Sequence, residues 1–491
     1  MRIVYIIRSL SHLPYHESIL RDLCKRSHRV VLLVDEGWSK NGTAEGVASL
    51  LRELPTLSLG WSLRRHDFLE KVLSVTREWR TFASYVRRSE QSAFYRDRWQ
   101  SYLPPKLKWL MDKNLFQKIL TSSFVVKILD CLESSVGPDR NIKKWVAGMK
   151  PDLLVGSPLN MRFSDDIEYI KAARSLGIPT AGIVLSWDNL TTKGLFHARP
   201  DFLFAWNLSH TKEAIEIHGF PKDRLIVSGS PFFDKWFNFE GRVDINGEQC
   251  FYKKTGLSPN EPFILYLGSS ANIIADESPV IRHLVETLRQ SQVPRLRDVK
   301  VLVRPHPANW RPIASLSADR GLVVYPSFPF RYENKPPENL EDLKDFYYSM
   351  LKSVAVVGIN TSGMLDAIAC NRPTIGFIEK GCELTQTKAQ HFKVLLDHGT
   401  LSIATSGKEC AAIVSELLNG LDRKEKQRKA FINKFIRPLG VQRSAGEVVA
   451  EGLELIGRGV SGSDISRSLS GVMEAAEMES TLEPNSSLVL G

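Results

Sequence analysis

The sequence predicts an α/β protein with two domains, each built on a parallel sheet. A chain of 491 residues is too long for a single hydrophobic core. In both halves short apolar runs alternate with helical segments, which is typical of parallel sheets with right-handed crossovers. The content of 43% hydrophobic and 24% charged residues is that of a globular protein. We therefore expect two doubly wound, Rossmann-like domains facing each other across a cleft.

The first half begins with a strand, a helix and a second strand. Residues 3–7 and 29–34 are apolar runs typical of buried parallel strands, and residues 16–26 between them have helical periodicity. Further strands are predicted at residues 153–155, 180–185, 201–205 and 225–227. The apolar alternation lapses at residues 235–255, so the first domain is expected to span residues 1–235.

The second half repeats this alternation, and residues 236–456 are expected to form the second domain. Strands are predicted at residues 263–267, 299–303, 321–325, 354–357 and 374–377, with helices at residues 278–291, 362–370 and 422–436. The last residues, 457–491, are rich in serine and acidic residues, a composition that predicts a disordered tail.

Residues 61–145 interrupt the first domain with a helical, basic segment. This segment holds five of the ten tryptophans, and residues 61–150 contain 18 Lys and Arg against 9 Asp and Glu. Two interpretations stay open: binding to an anionic membrane surface, or an insertion with packed aromatic side chains and solvated charges. Nucleic-acid binding is not expected, because the chain has no pattern of a nucleic-acid-binding module.

The start of the chain and its cysteines predict a cytosolic protein; under the membrane interpretation of residues 61–145 it would lie on the inner face of the plasma membrane. The apolar run 3–7 is interrupted by Arg8, and no stretch is long enough to span a bilayer. Six cysteines are scattered without CxxC spacing, which argues against a zinc site or a disulfide framework.

Polar or glycine-bearing residues follow three predicted strands of the second half. Ligands of open parallel sheets bind beyond the carboxyl ends of the strands. The candidate donor-binding residues are Gly268, Ser269, Ser270, Arg304, Asn360, Thr361, Ser362, Gly363 and Asp366, with His306 as a candidate catalytic residue. The alternatives are ordinary chain turns at the first two strands and a plain helix N-cap at the third.

These residue types suit a phosphorylated ligand. Hydroxyl residues such as Thr361 and Ser362 at a helix N-terminus can bind a phosphate or diphosphate. Asp366, one turn further on, could accept bonds from two ribose hydroxyls. Arg304 supplies a permanent charge, and His306 can donate a hydrogen bond or a proton to a departing phosphate.

The second half resembles the donor domain of GT-B glycosyltransferases and of the related CDP-glycerol glycerophosphotransferases. An HP pair and a small-residue helix cap followed by an acid mark those families, and His306-Pro307 and Thr361-Ser362 with Asp366 match them. The usual acid is Glu, so Asp366 is a departure. The resemblance extends over roughly residues 1–455, includes the branch of UDP-GlcNAc 2-epimerases, and implies the GT-B fold.

The first half carries the second set of candidates. Residues 186–194 (SWDNLTTKG) resemble a WDNLT-type loop of bacterial GT-B-like proteins, with Asp188 as a candidate base and Asn189 and Lys193 as candidate acceptor-binding residues. An Asx-turn is the alternative at this loop. His12 and His16 lie in the first strand-to-helix connection, where GT-B enzymes often place an acceptor-side base; His12 is a candidate catalytic residue and His16 a candidate acceptor-binding residue. Residues 229–234 resemble the interdomain motif G-x-P-x-x-D.

Together these patterns predict an inverting, metal-independent transferase without a cofactor. It would move a glycosyl or polyol-phosphate group from a UDP-, CDP- or CMP-type donor to a carbohydrate or lipid-linked acceptor, in surface polysaccharide synthesis. One alternative is an enzyme like the non-hydrolysing UDP-sugar 2-epimerases. Another is a non-catalytic scaffold that binds nucleotide or membrane.

Overall fold

The computed structural model describes residues 1–39, 44–88, 93–237, 244–319, 321–326 and 340–470. The first sheet contains β1 (Arg2–Ile7), β2 (Arg29–Val34), β3 (Leu57–Trp61), β4 (Leu153–Ser157), β5 (Thr180–Ile183), β6 (Phe202–Ala205) and β7 (Leu225–Val227). The second contains β8 (Phe263–Leu267), β9 (Lys300–Arg304), β10 (Leu322–Val324), β11 (Val356–Gly358), β12 (Thr374–Phe377) and β13 (Ser402–Ala404).

The helices of the first half are α1 (Glu17–Lys25), α2 (Glu36–Ser39), α3 (Ala44–Glu53), α4 (Leu69–Arg87), α5 (Ala93–Ser101), α6 (Pro105–Met111), α7 (Asn114–Leu120), α8 (Ser123–Ser135), α9 (Arg140–Met149), α10 (Asp166–Ser175), α11 (Asn189–Thr192), α12 (Leu208–His218) and α13 (Asp234–Phe237). Those that follow are α14 (Ile245–Thr255), α15 (Ser278–Arg289), α16 (Pro294–Arg297), α17 (Arg311–Ala314), α18 (Leu340–Leu351), α19 (Gly363–Ala369), α20 (Gln390–Asp397), α21 (Gly407–Leu418), α22 (Glu425–Phe431), α23 (Ala445–Gly457) and α24 (Gly462–Ser470).

Both sheets are parallel and doubly wound, so the predicted fold class is confirmed. The strand order is β3-β2-β1-β4-β5-β6-β7 in the first sheet and β10-β9-β8-β11-β12-β13 in the second. The apolar runs form strands that are buried on both faces, as the Ile3–Ile7 part of β1 illustrates. In the second sheet β9, β8 and β11 are neighbours, which brings the three polar strand ends to one edge.

The helical segment between β3 and β4 runs from α4 to α9. Trp61 ends β3 instead of belonging to these helices. Side chains of α4 and α5, among them Phe82, Tyr85, Tyr95 and Trp99, are buried in the hydrophobic core. The first part of the segment is therefore a packed insertion.

The end of the chain packs on the first sheet, and this corrects two expectations. Val449 and Leu453 of α23 join the same core as Tyr5 of β1, so the second domain does not continue to residue 456. Ile465 and Leu469 of α24 are also buried there, where a disordered tail was expected. Their spacing of four places both on one helical face, and the serine-rich composition of this stretch obscured that pattern. Residues 471–491 lie outside the described residues.

Candidate functional site

Side chains that follow strands of both sheets meet between the two domains. Trp187, after β5, and His391, on α20 after β12, pack edge to face with ring centroids 4.7 Å apart. The His391 Nε2 atom lies 3.3 Å from Asn360 Nδ2, in the loop after β11. His391 therefore contacts the candidate residues of both halves of the chain.

The three polar strand ends of the second domain come together as predicted. The Gly268 N–H donates to the Arg304 carbonyl oxygen at 2.9 Å, and the Asn360 N–H points to Ser269 Oγ at 3.4 Å. A Cβ atom at Gly268 would lie 2.9 Å from the backbone nitrogen of His306. Only glycine allows this close approach, because such a contact is essentially never seen for a real side chain.

The candidate residues at this edge of the second sheet differ in how exposed they are to solvent. Ser270, His306, Thr361 and Gly363 are partly exposed, and Ser362 is exposed. Ser362 begins α19 without a hydrogen bond from its own side chain. We call residues 268–270 and 360–363 at this edge the rim, and its exposed hydroxyl side chains suit an anionic ligand.

Buried polar groups hold this rim in place. The Ser269 N–H donates to Glu277 Oε1 at 2.7 Å, and Asn309 Nδ2 donates to the Ser269 carbonyl oxygen at 3.1 Å. The Asn360 amide donates to the Thr385 carbonyl oxygen at 2.5 Å. Burial raises the pKa of Glu277 to about 7, against the lowering effect of its hydrogen bonds from Ser269.

Two donor-site candidates are less accessible than their sequence positions suggested. Asp366 is 4% exposed, and its Oδ1 accepts a hydrogen bond from Trp236 Nε1 at 2.5 Å. Burial raises the pKa of this carboxyl, although Lys235 and Trp236 act in the opposite direction. Its carboxylate therefore contacts Trp236 of the interdomain segment α13 and has little exposure to an open ribose site.

Arg304 is likewise enclosed. Its guanidinium donates to Ser349 Oγ at 3.1 Å and lies over the rings of Tyr325 and Phe346, at 5.5 and 5.1 Å from their centroids. The sequence predicted a free phosphate-binding cation, but in the described structure Arg304 packs within the second domain.

The loop of residues 186–194 places a carboxylate and an ammonium group side by side. Asp188 accepts hydrogen bonds from Ser186 Oγ at 2.6 Å and from Thr192 Oγ1 at 2.7 Å, and Lys193 Nζ lies 3.2 Å from its Oδ2. Burial opposes ionisation, yet Lys193 and the hydroxyl hydrogen bonds together hold the pKa of Asp188 well below its usual range. Asp188 is therefore a permanently charged partner of Lys193 and a weak base.

The helical insertion braces this loop. The Tyr85 hydroxyl of α4 lies 2.8 Å from the Thr191 carbonyl oxygen and 3.0 Å from that of Lys193. From α5, the guanidinium of Arg98 donates to the Thr192 carbonyl oxygen at 2.5 Å. The first helices of the insertion therefore fix the position of Lys193.

Asn189 and His16 do not reach an acceptor. Asn189 is 1% exposed and exchanges hydrogen bonds with Asn160, its amide lying 2.7 Å from Asn160 Oδ1. His16 is 0% exposed, and its Nδ1 lies 2.9 Å from the Tyr5 hydroxyl. Both predicted acceptor-binding roles are corrected, because these side chains satisfy polar groups inside the domain.

His12 stays partly exposed in the connection between β1 and α1. Burial, with smaller contributions from the charges of Arg8 and Lys193, lowers its pKa to about 4, so its ring is neutral at neutral pH. Its Nδ1 has no hydrogen-bond partner among the described residues. This Nδ1 atom is buried, and the His12 ring lies within the electrostatic reach of Lys193.

Two further side chains belong to the site although the sequence did not indicate them. The ring of Tyr15 stacks on that of Phe232 with centroids 4.3 Å apart, and burial raises the pKa of Tyr15, with smaller contributions from the charges of Asp366 and Asp188. Burial lowers the pKa of His391 to about 4. In the sequence His391 is a lone histidine of an amphipathic helix, where a core position is the ordinary interpretation, so no local pattern singled it out.

A cavity of about 880 Å³ lies behind this loop in the first domain. It is bounded by the insertion helix α4, by the start of α6 at Pro104 and Pro105, and by Asn160 and Gly194. Arg64 and Asp165 on its wall form an ion pair, with Arg64 Nε 3.3 Å from the Asp165 Oδ2 atom. Burial and a hydrogen bond with Asp35 raise the pKa of Asp165, and the charge of Arg64 acts in the opposite direction.

Within the described ranges, no cluster of three or more His, Cys, Asp or Glu side chains is arranged to hold a metal ion. In the same part of the chain, every helix is too short or too polar to cross a bilayer.

Comparison with known proteins finds similarity in three-dimensional structure but not in sequence. No protein-family model matches the chain, and no curated protein matches it in sequence. A putative UDP-N-acetylglucosamine 2-epimerase from Listeria monocytogenes superposes with a TM-score of 0.53 at 10% identity, over 94% of this chain and 97% of that one. The UDP-GlcNAc 2-epimerase of Methanocaldococcus jannaschii superposes with a TM-score of 0.52 at 11% identity, over 92% of this chain and 99% of that one.

A third solved structure is the UDP-GlcNAc 2-epimerase of Neisseria meningitidis bound to UDP-GlcNAc. It has a TM-score of 0.51 at 12% identity, over 92% of this chain and 100% of that chain. At these identities the likeness extends to the architecture alone. The chain has the GT-B fold, with two Rossmann-like domains and an interdomain cleft, as its sequence predicted.

Proposed function

We propose that this protein is a transferase that moves a glycosyl or polyol-phosphate group from a nucleotide-linked donor to a carbohydrate or lipid-linked acceptor. The observation that carries the proposal is the position of His391, which contacts Asn360 at the polar rim of the second domain and Trp187 in the loop of the first. A donor on one side and an acceptor on the other would meet at this point, and catalysis would consist of positioning and electrostatic stabilisation.

The donor diphosphate is proposed to lie on the rim formed by residues 268–270 and 360–363. Ser270, Thr361 and Ser362 place partly exposed or exposed hydroxyl groups there, and His306 adds a partly exposed imidazole whose pKa is lowered by burial. Lys193 of the opposite domain is within electrostatic reach of His391, and its charge would stabilise the departing phosphate. UDP is the first nucleotide to test, because the Neisseria meningitidis enzyme of the same fold holds UDP-GlcNAc.

The acceptor is proposed to enter the cavity of about 880 Å³ in the first domain. Gly194, next to Lys193, lines this cavity, and so do Trp99, Tyr102 and Phe163, whose rings suit the apolar faces of sugars. A reaction within one nucleotide sugar needs no such additional space, which favours transfer over epimerisation.

His12 is the proposed proton acceptor for the acceptor hydroxyl. Its ring is neutral at neutral pH and partly exposed, so it can accept a proton, whereas Lys193 and the hydroxyl hydrogen bonds hold the pKa of Asp188 lower still and make it the weaker base. Asp188 is therefore proposed to position Lys193. The proposal includes an inverting, metal-independent reaction, and turnover measured with and without EDTA tests the second property.

A nucleotide screen tests the donor half of the proposal. The melting temperature would be measured with UDP, CDP, CMP and GDP, and a nucleotide that binds is expected to raise it. The paired variant Thr361→Val with Ser362→Ala should lose most of this shift. Ser461→Ala, which removes an exposed hydroxyl far along the chain, is the control. If no nucleotide changes the melting temperature, the non-catalytic scaffold becomes the better interpretation.

Product analysis tests the reaction. Release of nucleotide from a bound donor should rise when oligosaccharide or lipid-linked acceptors are added, and His12→Asn should lower kcat while the melting temperature is kept. Asp188→Asn and His306→Ala should also lower turnover in the folded protein. Full activity of these variants would refute their roles.

An epimerase is the second candidate, because the solved structures with TM-scores of 0.53 and 0.52 are UDP-GlcNAc 2-epimerases. Incubation with UDP-GlcNAc alone separates the two: a change of configuration at C2 of the sugar without any acceptor would favour the epimerase.

A further inference from the structure

The second part of the insertion exposes large apolar side chains on three consecutive helices. We name the outer face of α6, α7 and α8 the α6–α8 surface. Its apolar members are Trp109, Leu115, Phe116, Ile119, Phe124, Ile128 and Leu132, with exposed fractions between 38% and 73%. Contiguous exposed apolar side chains of this size are uncommon in a monomeric protein and mark an interaction surface.

The sequence positions of these residues place them on shared faces. Phe124, Ile128 and Leu132 follow one another at intervals of four on α8 and therefore form one stripe. Leu115 and Ile119 are spaced in the same way on α7. The opposite face of α8, which includes Val126 and Leu129, is buried. The exposed stripe is thus an outward face of a packed helix, and the hydrophobic core does not need it.

The same surface is basic. Lys106, Lys108, Lys113, Lys118 and Lys127 lie on or between these helices, and none of them forms an ion pair with another described residue. The nearby acids already have partners: Asp130 pairs with Arg80, and Asp112 accepts a hydrogen bond from Gln100 at 2.7 Å. Apolar side chains and uncompensated lysines therefore share one face.

We propose that the α6–α8 surface docks on the interface of an anionic lipid bilayer. Apolar side chains would enter the boundary between headgroups and acyl chains, and the lysines would contact anionic headgroups. Charge favours this occupant over a second copy of the chain, because a two-fold contact would bring the same lysines together. Pro105, the first residue of α6, also lines the cavity of the first domain, so docking would bring that cavity close to the lipid.

Vesicle sedimentation of the full chain tests this proposal. Vesicles of phosphatidylcholine alone would be compared with vesicles that also contain phosphatidylglycerol. Binding is expected to the anionic vesicles and to weaken as salt rises, since salt screens the lysine charges. Neutralising Lys113, Lys118 and Lys127 to Gln should lower the partition coefficient roughly a hundredfold, at about fivefold for each basic residue.

The apolar contribution is tested with the double variant Leu115→Ser and Phe124→Ser. Both side chains are exposed, so the melting temperature should stay at the wild-type value while vesicle binding falls at least about tenfold, by the transfer free energy of two apolar side chains. Ile245→Ser in the second domain is the matched control, because Ile245 is 75% exposed and lies outside the surface. Its binding should be unchanged.

Three results would overturn the proposal. They are equal binding to neutral and anionic vesicles, wild-type binding by the lysine variant, and no binding to either vesicle by the native chain. Light scattering that finds a dimer dissociated by Leu115→Ser and Phe124→Ser, without vesicle binding, would assign this surface to self-association instead. The salt dependence of the native chain needs no variant, so the test does not depend on the folding of any mutant.

Discussion

The carboxylate of Asp234 and the guanidinium of Arg437 form an ion pair of 2.7 Å in which both side chains are almost fully buried. The same carboxylate accepts the N–H groups of Ala445 and Gly446, at the start of α23, at 3.0 and 2.7 Å. This node lies where the chain returns from the second domain to the first. Asp234 is the last residue of the G-x-P-x-x-D motif at residues 229–234. Its contacts with Arg437 and with the start of α23 explain why the motif ends in an acidic residue.

Asp234→Ala is expected to destabilise the protein by about 3–5 kcal/mol, because it leaves Arg437 buried without a counter-charge and removes the cap of α23. The free energy of unfolding from urea titration gives the measurement. Glu425→Ala removes an exposed partner of Lys429 and serves as the control, with an expected change of at most about 0.5 kcal/mol. Equal effects of the two variants would contradict the role of the node.

Gly268→Ala should distort the rim of the second domain. Its Cβ atom would lie 2.9 Å from the His306 backbone nitrogen, so β8 and the loop after β9 must separate. Gly137→Ala is the matched control, because no atom lies within 4 Å of a Cβ atom built at Gly137. Only Gly268→Ala is expected to lower the melting temperature and reduce the shift produced by a nucleotide. Unchanged nucleotide binding would argue against a donor site at this rim.

Tyr85→Phe should loosen the loop of residues 186–194. The variant removes the hydroxyl that contacts the carbonyl oxygens of Thr191 and Lys193, at a cost of about 1–3 kcal/mol for buried groups left without a partner. Turnover should fall more than nucleotide affinity, since this loop belongs to the acceptor side. Tyr252→Phe is the control, because the Tyr252 hydroxyl has no hydrogen bond within the described structure. Parallel losses in both variants would indicate a general effect on folding.

Glu277 predicts a pH dependence of stability. Its pKa is raised by burial from 4.5 to about 7, so the folded state retains the proton that the unfolded state loses above pH 4.5. The free energy of unfolding is therefore highest, as far as Glu277 is concerned, below about pH 4.5. It falls as the pH rises from about 4.5 to about 7, and it does not change further above pH 7. Glu277→Gln should therefore be more stable than the native chain at pH 8, by up to about 3 kcal/mol, and equal to it near pH 4.5. Urea titrations at both pH values would measure this difference, and no gain at pH 8 would contradict the buried protonated state.

Local patterns were sufficient for the architecture and for part of the site. The apolar runs at 3–7 and 263–267 became central parallel strands because a continuous apolar run fits a strand that is buried on both faces. The convergence of Gly268, Arg304 and Asn360 also followed from the sequence, since the carboxyl ends of neighbouring parallel strands share one edge of the sheet.

The direction of individual side chains did not follow from these patterns. Asn189 and Asp366 have the residue types of a binding site, yet Asn160 and Trp236 take up their hydrogen-bonding groups. Those partners are 29 and 130 residues away along the chain, so no local pattern relates them. Burial likewise decided that His16 supports the core while His12 stays partly exposed.

The sequence by itself determined two parallel sheets, the basic insertion and the strand ends that carry polar groups, because periodicity and residue type act over short stretches of chain. The tertiary structure alone decided that α23 and α24 return to the first sheet, that α4 and α5 are packed while α6–α8 expose apolar side chains, and that His391 joins the two halves of the site. These outcomes depend on which surfaces remain uncovered once the domains have formed, and that is set by contacts between distant parts of the chain.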